Sequence, residues 1–448
     1  MPLAAPAFTA LEIEARTLRK LQTRIIPFVF VLFMIAFVDR INIGFAALTM
    51  NDELAVTSQQ FGLVAGIFFF GYFVFEIPSN LLMHRIGARI WIARILISWG
   101  IVAVFMGFAR TATHLYFLRF LLGVAEAGYI PGILLYLTYW FNQRRLAHAI
   151  ALFCAANPVA NVVGAPISGL ILDHIHWLGF SSWRWLLILE GVPAVLGGLL
   201  TYFLLPDRPA KARFLTTEEK DWLIGERKRE EEEKVSKSQI SVGQALVHGR
   251  VWHLTVAYFL ALLGMYAMNF WMPQLMKALS AQRSNATVGM LVMIPYLAAV
   301  PAMILASRSS DRTLERRYHI AIPQMVGAIA LLLLGAVTPH SAFLSVALWC
   351  FVASGIYCLL GPFWSLPNEF LTGFSAAAGI ALINSFGNLG GFVGSYAMGA
   401  IYKRTGSFRG GLLVAGISLF ASAVFILALR KRIVLENANP IHTSQNTR

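Results

Sequence analysis

Residues 25–49 read IIPFVFVLFMIAFVDRINIGFAALT, an apolar run that carries an adjacent acid and base, Asp39 and Arg40, near its middle. Roughly 20 apolar residues are enough for a helix to cross a bilayer. An ionisable side chain inside such a span is costly unless it pairs or lines a wet cavity, so it marks a functional site. Arg119 and Glu126 lie inside another apolar run. These four charged side chains are therefore the first candidate functional residues.

The overall composition shows that such runs belong to a membrane protein and not to a soluble core. Of 448 residues, 58% are hydrophobic and only 13% are charged, and the mean hydropathy is +0.67. Soluble domains carry about 25% charged residues. The net charge of +14 would suggest nucleic acid in a soluble chain. Here many of the basic residues fall in short segments between apolar runs, which is a topology signal and argues against a nucleic-acid partner.

Apolar runs recur along the chain in two groups of six. They lie near 25–49, 59–83, 91–109, 114–139, 147–172 and 183–205, and then near 251–276, 287–306, 319–338, 342–366, 374–401 and 409–430. This pattern predicts an all-α integral membrane fold with about twelve transmembrane helices. We expect two six-helix bundles, residues 1–205 and 251–448, joined by a charged linker at 206–250.

The basic residues also predict the orientation. If the N-terminus lies inside, the short inner segments hold about fifteen lysines and arginines and the outer ones about seven. Both termini and the linker are therefore predicted to be cytoplasmic.

The two halves of the sequence are related to each other. Residues 149–152 read AIAL and residues 379–382 read GIAL, an offset of 230, and the same offset places Gly164 on Gly394 and Gly169 on Gly399. A parallel repeat is the simplest explanation. Two such halves hold a substrate at their interface, near the middle of the membrane.

Five segments carry a family resemblance. They are DRINIGFA at 39–46, GYFVFEIPSN at 71–80, RFLLGVAEAG at 119–128, LEGVP at 189–193 and NSFGNLGG at 384–391. The chain resembles the major facilitator superfamily, within it the anion:cation symporter family, and most closely the bacterial tartrate, sugar-acid and aromatic-carboxylate permeases. The resemblance implies proton-coupled uptake of a small organic anion by alternating access, in a cell inner membrane. We expect a monomer in the bilayer that uses the proton as coupling ion and needs no other cofactor.

The central charges fit that chemistry. Arg119 and Glu126 are two helical turns apart, about 10 Å on one face, whereas Asp39 and Arg40 point about 100° apart around their helix. We assign Arg40 and Arg119 to the substrate carboxylate, because arginine offers a planar fork. Asp39 and Glu126 are the candidate proton-coupling residues. The alternative is a set of internal ion pairs that only hold helices together.

Three neutral side chains join the candidate binding set. The resemblance implies that Tyr72 reaches the substrate. Asn157 with Asn161, and Asn388 with Asn384, form i,i+4 pairs that suit carboxylate and hydroxyl recognition, although hydrogen bonding between helices is an equally good interpretation.

The superfamily's gating signature follows span two and recurs after span eight. Arg85 and Arg89 belong to the first copy, and Asp311 and Arg312 to the second. Basic residues at helix ends can pair with the C-termini of neighbouring helices and lock one state of a gate. The alternative is that they only anchor the topology.

Other function classes receive less support. Export or anion exchange stays open because residues 164–169, GAPISG, partly match the span-five signature of superfamily antiporters. An enzyme is not expected, since the sequence contains no nucleophile and base set, phosphate loop or metal-ligand spacing, and its three cysteines fall within apolar runs.

Overall fold

The computed structural model describes residues 10–237, 241–279, 283–337, 341–371 and 373–429. Within these ranges the chain forms α-helices and three short 3-10 turns, and no β-strand occurs. The predicted all-α membrane fold is confirmed.

The helices follow the two predicted groups. The first group consists of α1 (Ala10–Arg24), α2 (Ile26–Glu53), α3 (Ser58–Ile86), α4 (Ala88–Met106), α5 (Ala112–Glu126), α6 (Tyr129–Thr138), α7 (Gln143–Cys154), α8 (Ala156–His174) and α9 (Ser182–Leu204). The connecting region contains α10 (Thr217–Lys237) and α11 (Val242–Val247). The second group consists of α12 (Gly249–Leu279), α13 (Asn285–Thr313), α14 (Arg317–Val337), α15 (Ala342–Tyr357), α16 (Leu360–Phe363), α17 (Gly373–Thr405) and α18 (Arg409–Ala428).

Eleven helical segments of the described chain are long and apolar enough to cross a membrane. The predicted span at 374–401 corresponds to α17, which is 33 residues long. At 1.5 Å per residue this helix measures about 50 Å, more than the thickness of the hydrocarbon core. The eleven segments do not include α17, and together with it they correspond to the predicted set of about twelve spans.

Each group packs into a bundle, and several helix pairs join the bundles. In the first bundle α9 packs on α4 and α2, and α3 on α5; in the second α18 packs on α14 and α12. The largest contacts between the bundles are those of α3 with α17, α8 with α13 and α2 with α12, and α7 makes a smaller contact with α16. The apolar run of residues 25–49, which carries Asp39 and Arg40, therefore lies on α2, a helix that faces the second bundle.

Three spans that the sequence predicts as continuous are divided: 147–172 at Ala155, into α7 and α8, and two others that are related by the repeat. The span at 114–139 is divided into α5 and α6 by Gly128, whose φ of +85° is the left-handed conformation that glycine adopts readily. The span at 342–366 is divided into α15 and α16. Ala112 and Ala342, which begin α5 and α15, are 230 residues apart. Interrupted helices at repeat-related positions are a pointer to the binding site of a transporter.

The charged linker forms a structured unit with the N-terminal helix. Glu219 of α10 accepts a hydrogen bond from Lys20 Nζ of α1 at 2.7 Å and lies 3.5 Å from Arg16. Burial raises the pKa of Glu219, but Lys20, the Thr216 backbone N–H and Arg16 together lower that pKa below its ordinary value. We call the end of the molecule that carries α1 and α10 the linker face, and the other end the opposite face.

Candidate functional site

Arg40 is the centre of the candidate site. Its guanidinium is buried and forms an ion pair with Glu126, the last residue of α5 before the interruption. It also donates a hydrogen bond from Nη1 to the hydroxyl of Tyr266 on α12, at 3.0 Å. Arg40 therefore joins three helices, and one of them belongs to the second bundle.

Aromatic rings surround this guanidinium. Its carbon Cζ lies 5.2 Å from the ring centre of Phe68 and 5.6 Å from that of Tyr72. Both rings belong to α3, and contacts of this kind stabilise a cation by roughly 0.5 to 2 kcal/mol. The Tyr72 hydroxyl is buried and has no hydrogen-bond partner among the described residues. Tyr72 thus presents an available donor beside Arg40, where the resemblance places a substrate contact.

Arg119 is fully buried and contacts backbone carbonyl groups instead of a carboxylate. Nε donates to Val64 O at 3.3 Å and Nη2 donates to Ala65 O at 3.4 Å, both on α3, whereas Nη1 has no partner among the described residues. The Arg119 Cζ lies 5.8 Å from the ring centre of Phe270 on α12. Asp39 and Glu126 act on Arg119 electrostatically, but no carboxylate oxygen among the described residues contacts it. A buried cation whose fork is only partly satisfied is suited to an anion.

Asp39 faces away from Arg40, as the expected 100° between them requires. Its carboxylate accepts hydrogen bonds from Trp99 Nε1 on α4 at 2.5 Å and from Asn42 Nδ2 at 3.1 Å. Within the described residues no arginine nitrogen forms an ion pair with it. Of the two candidate proton-coupling residues, only Glu126 contacts an arginine.

The amide side chains lie along the junction of the bundles. Asn157 is buried on α8, and its Oδ1 has no partner in the described ranges. Asn161 donates to the Tyr357 hydroxyl of α15 at 3.4 Å, which links the two bundles. On α17, Asn388 Nδ2 donates to the backbone oxygen of Asn384 at 2.8 Å.

The second bundle adds residues that the sequence analysis missed. The Tyr296 hydroxyl donates to Asn269 Oδ1 at 2.7 Å, and the ring centres of Tyr296 and Tyr357 lie 5.8 Å apart. Together with Tyr266 they form a neutral polar surface opposite the arginines. The repeat could have identified one of them, since Asn269 lies 230 residues after Asp39.

The candidate gating residues lie at the linker face. The Arg89 backbone N–H donates to Asp207 Oδ1 at 2.9 Å, and Asp311 pairs with Arg316. Arg85 and Arg312 are exposed. Neither of these two pairs joins one bundle to the other.

The opposite face is closed by contacts between the bundles. Asp173 of α8 accepts hydrogen bonds from the first two backbone N–H groups of α13, those of Asn285 at 3.0 Å and Ala286 at 2.7 Å. A carboxylate in this position satisfies free N–H groups and matches the helix dipole. Gln59 of α3 donates to the Tyr396 hydroxyl of α17 at 2.8 Å. Access to the arginines from this face requires these contacts to break.

Metal-binding clusters are absent from the described ranges, which contain no group of three or more His, Cys, Asp or Glu side chains that could hold an ion. The contacts of Arg40 and Arg119 support reversible ion pairing and hydrogen bonding.

Comparisons with known proteins agree with this architecture. The sequence profile described as the Major Facilitator Superfamily matches residues 28–394. A "Putative tartrate transporter" of Agrobacterium vitis is 47% identical over 421 residues, which cover 94% of this chain and 92% of that protein. A "Quinolone resistance transporter" of Acinetobacter baumannii is 37% identical over 407 residues, which cover 91% and 93%. The partially occluded inward-open structure of the xylose transporter XylE from E. coli has a TM-score of 0.69 at 15% identity, covering 91% of this chain and 99% of that one.

Proposed function

We propose that this chain, which belongs to the Major Facilitator Superfamily, takes up a small organic anion together with protons. The family and the relatives make the chain a multi-pass membrane transporter and not an enzyme. The observation that carries the finer proposal is the pair of buried arginines at the junction of the bundles, of which Arg119 contacts no carboxylate and Arg40 contacts Glu126.

Arg119 supports an anionic substrate. Its Nη1 has no protein partner in the described part of the chain, and its side chain is fully excluded from solvent. A substrate carboxylate at this position would supply the missing acceptor and a contacting negative charge. Charge-assisted hydrogen bonds from an arginine fork to a carboxylate are about twice as strong as neutral ones.

Glu126 supports proton coupling. Its ionised carboxylate forms an ion pair with the Arg40 guanidinium and would compete with a substrate anion for it. Proton uptake by Glu126 would remove that competitor and leave Arg40 available to the substrate. Proton and anion would then bind cooperatively. Asp39 interacts electrostatically with Arg119 without contacting it, and we propose it as the second proton site.

The neutral polar surface suits a hydroxylated acid. Tyr72, Asn157 and Asn388 of the candidate binding set lie with Tyr266 and Asn269 at the junction, and several of their donors or acceptors have no protein partner among the described residues. The tartrate name of the Agrobacterium vitis relative points to the same class. We therefore propose tartrate, a sugar acid or an aromatic carboxylate as substrate, in that order.

The surrounding architecture completes the proposal. The bundles of residues 1–205 and 251–448, with the linker 206–250, would rock about the site between two access states. We place the protein as a monomer in a cell inner membrane, with both termini and the linker face in the cytoplasm. Arg85, Arg89, Asp311 and Arg312 would then act at the cytoplasmic gate.

Uptake into proteoliposomes tests this function. The purified chain should accumulate a labelled acid from a panel of tartrate, aldonates, aldarates and aromatic carboxylates when the inside is made alkaline, and an added protonophore should abolish the accumulation. Liposomes without protein are the control. Transport that ignores the pH gradient would refute proton coupling, and absence of transport for every acid would refute the substrate class.

Export is the second candidate function. It is favoured by the GAPISG segment on α8 and by the Acinetobacter baumannii relative named for quinolone resistance. Two arginines at the junction favour an anion over a cationic drug. Acid-driven efflux of a fluoroquinolone from the same proteoliposomes, without tartrate uptake, would replace the first proposal by this one.

A further inference from the structure

A third buried carboxylate, Glu76 on α3, faces the second bundle. The side chain is fully buried. Its Oε1 accepts a hydrogen bond from Asn384 Nδ2 at 2.6 Å, and its Oε2 accepts one from Ser385 Oγ at 2.5 Å. Both donors belong to α17, so both oxygens of Glu76 are engaged across the junction.

The neighbourhood of Glu76 is largely neutral. Arg40 of α2 acts on it electrostatically but forms its ion pair with Glu126, and the titratable neighbours are Tyr72 of α3 and Tyr258 of α12. The described residues of α17 that contact Glu76 carry no charge. Because no described cation forms an ion pair with this carboxylate, its burial depends on the two donors from the other bundle.

The position of Glu76 along α3 relates it to one gate. Glu76 lies ten residues before Ile86, the end of α3 at the linker face, a distance of about 15 Å along the helix. Toward the opposite face the same two helices are in backbone contact: a Cβ on Gly62 would lie 2.7 Å from Ser395 O, and a Cβ on Gly399 would lie 2.3 Å from Ser58 O. The Glu76 contact is therefore a polar contact that joins α3 to α17 nearer the linker face, beside the packing of the Phe73 and Phe386 rings, whose centres lie 4.9 Å apart.

We propose that Glu76 is a latch of the gate at the linker face, and that loss of the proton from its carboxyl group opens this latch. The proposal rests on the proposed function, because it gives a proton a second task in the transport cycle. A protonated carboxyl group keeps both partners, since Asn384 donates to one oxygen and the Ser385 hydroxyl can turn to accept from the other. The ionised group is buried without an ion-pair partner among the described residues, so it gains free energy when the gate opens and water reaches it.

The latch is close to the substrate site. Tyr72 lies one helical turn before Glu76 on α3, and its ring contacts the Arg40 guanidinium. A proton that enters the site can therefore reach Glu76 over a short path, and its release from Glu76 can open the linker face after binding at Arg40.

Pulsed EPR distances in the full-length chain test the proposal. The chain is placed in lipid nanodiscs after Cys154, Cys350 and Cys358 are replaced by alanine. Spin labels at Ile86→Cys and Val247→Cys report the linker face, since these residues are 43% and 77% exposed and α11 packs on α17 of the second bundle. A second pair at Leu178→Cys and Phe343→Cys, which are 85% and 86% exposed, reports the opposite face.

In the parent chain, raising the pH from about 5 to about 8 should lengthen the distance at the linker face. The cost of burying an ionised carboxylate without a counter-ion predicts at least a tenfold rise in the ratio of open to latched molecules, equivalent to about 1.4 kcal/mol. Glu76→Gln, which is neutral and can keep both partners, should show the latched distribution at both pH values. Ser385→Ala removes one donor but keeps the carboxylate, so it should shift the distribution toward open at both.

Glu190→Gln is the matched control. Glu190 is also buried, but its Oε1 accepts from Ser168 Oγ at 2.7 Å within the first bundle. This variant should keep the parent response. The proposal is overturned if Glu76→Gln retains the pH dependence, if Ser385→Ala leaves the distances unchanged, or if Glu190→Gln loses the response equally.

Two further results separate this proposal from the proposed function. The distances are measured without substrate, so a failure to transport any acid in proteoliposomes would refute the function and leave the latch measurement intact. Glu126→Gln should retain the pH response of the distances. Its loss in that variant would assign the response to Glu126 and overturn the role of Glu76.

Discussion

Replacing Glu126 by glutamine should separate substrate binding from proton coupling. In the structure the Glu126 carboxylate forms the ion pair with Arg40, and Arg40 also contacts Tyr266 of the second bundle. Glutamine keeps the size of the side chain but carries no charge, so it resembles the protonated acid. We expect the variant to bind the anion with the same affinity at every pH, namely the affinity that the parent has at low pH.

The size of the effect follows from the ion pair. Two unit charges about 4 Å apart at an effective dielectric of about 20 attract each other by roughly 4 kcal/mol, before desolvation is subtracted. If about a third of that free energy opposes substrate binding, the anion affinity of the parent should change about tenfold between the ionised and protonated forms of Glu126. In Glu126→Gln this tenfold change should be absent.

Two measurements on the same preparation check this prediction. Calorimetry in nanodiscs gives the dissociation constant of the transported acid from about pH 5 to about pH 8, which should vary in the parent and stay flat in Glu126→Gln. In proteoliposomes the variant should lose accumulation driven by a pH gradient but keep exchange between equal pools of substrate. Glu190→Gln, a buried carboxylate hydrogen-bonded to Ser168, serves as control. Accumulation at the parent level in Glu126→Gln would refute the reasoning and leave Asp39 as the next candidate.

Three other predictions address binding, topology and the linker. Arg119→Lys keeps the charge but loses the fork that reaches the α3 carbonyl groups, so anion affinity measured by calorimetry should fall about tenfold; an unchanged affinity would remove Arg119 from the site. A maleimide that cannot cross membranes should label Lys228→Cys on α10 in inside-out vesicles only, and labelling of intact cells would reverse the orientation. The lowered pKa of Glu219 means that its pairing with Lys20 stabilises the docking of α1 at pH values above its unfolded pKa, near 4.3, and that this contribution disappears as the pH falls through the lower folded value. The hydrogen-exchange protection of α1, taken relative to the unfolded exchange rate at the same pH, should therefore fall in acid in the parent, while Glu219→Gln should show low protection throughout.

The run at 25–49 illustrates how far the sequence could predict the site. Its apolar length located the span, and the cost of burying charge identified Asp39 and Arg40. Their spacing on a helix also predicted that they face different directions. Which one faces the second bundle depends on how α2 is rotated, and Trp99 and Tyr266, from two distant parts of the chain, fix that rotation. A single sequence carries no signal for such a pairing.

The interruption after Glu126 was not predicted, although its cause is a local one. Gly128 lies in an apolar run that is long enough to span the membrane without a break, so hydropathy favoured a continuous helix. The left-handed φ of Gly128 and the close approach of Ser79, whose Oγ would lie 2.4 Å from an added Cβ, favour glycine at this position. The related span is interrupted at a similar place, where α15 ends at Tyr357, but the sequence predicts that span as continuous too.

The neutral residues of the second bundle were missed for a physical reason. A search for side chains that are costly to bury finds the ionised ones first. The spans of the second half offer none, since Asp, Glu, Lys and Arg are absent from residues 254–276, 286–307, 320–337, 342–366, 374–402 and 410–428. Tyrosine and asparagine are tolerated in helices of membrane proteins as ordinary packing residues, so their presence alone is weak evidence. Their proposed role in substrate binding can be inferred only from the fold, which places them opposite Arg40 and Arg119.

This asymmetry suggests how binding could be transmitted between the bundles. The first bundle carries the charges that respond to a proton or an anion, whereas the second responds only through hydrogen bonds to those charges. Two buried contacts cross the junction in this way, Arg40 to Tyr266 and Glu76 to Asn384 and Ser385. A change of protonation in the first bundle acts on the two contacts differently. Protonation of Glu126 releases the Arg40 guanidinium, which stays charged and keeps its contact with Tyr266, whereas a change of protonation at Glu76 adds or removes the cost of burying a carboxylate beside Asn384 and Ser385. The relative position of the bundles, and with it the access to the site, is then coupled to protonation without any Asp, Glu, Lys or Arg in those spans of the second bundle.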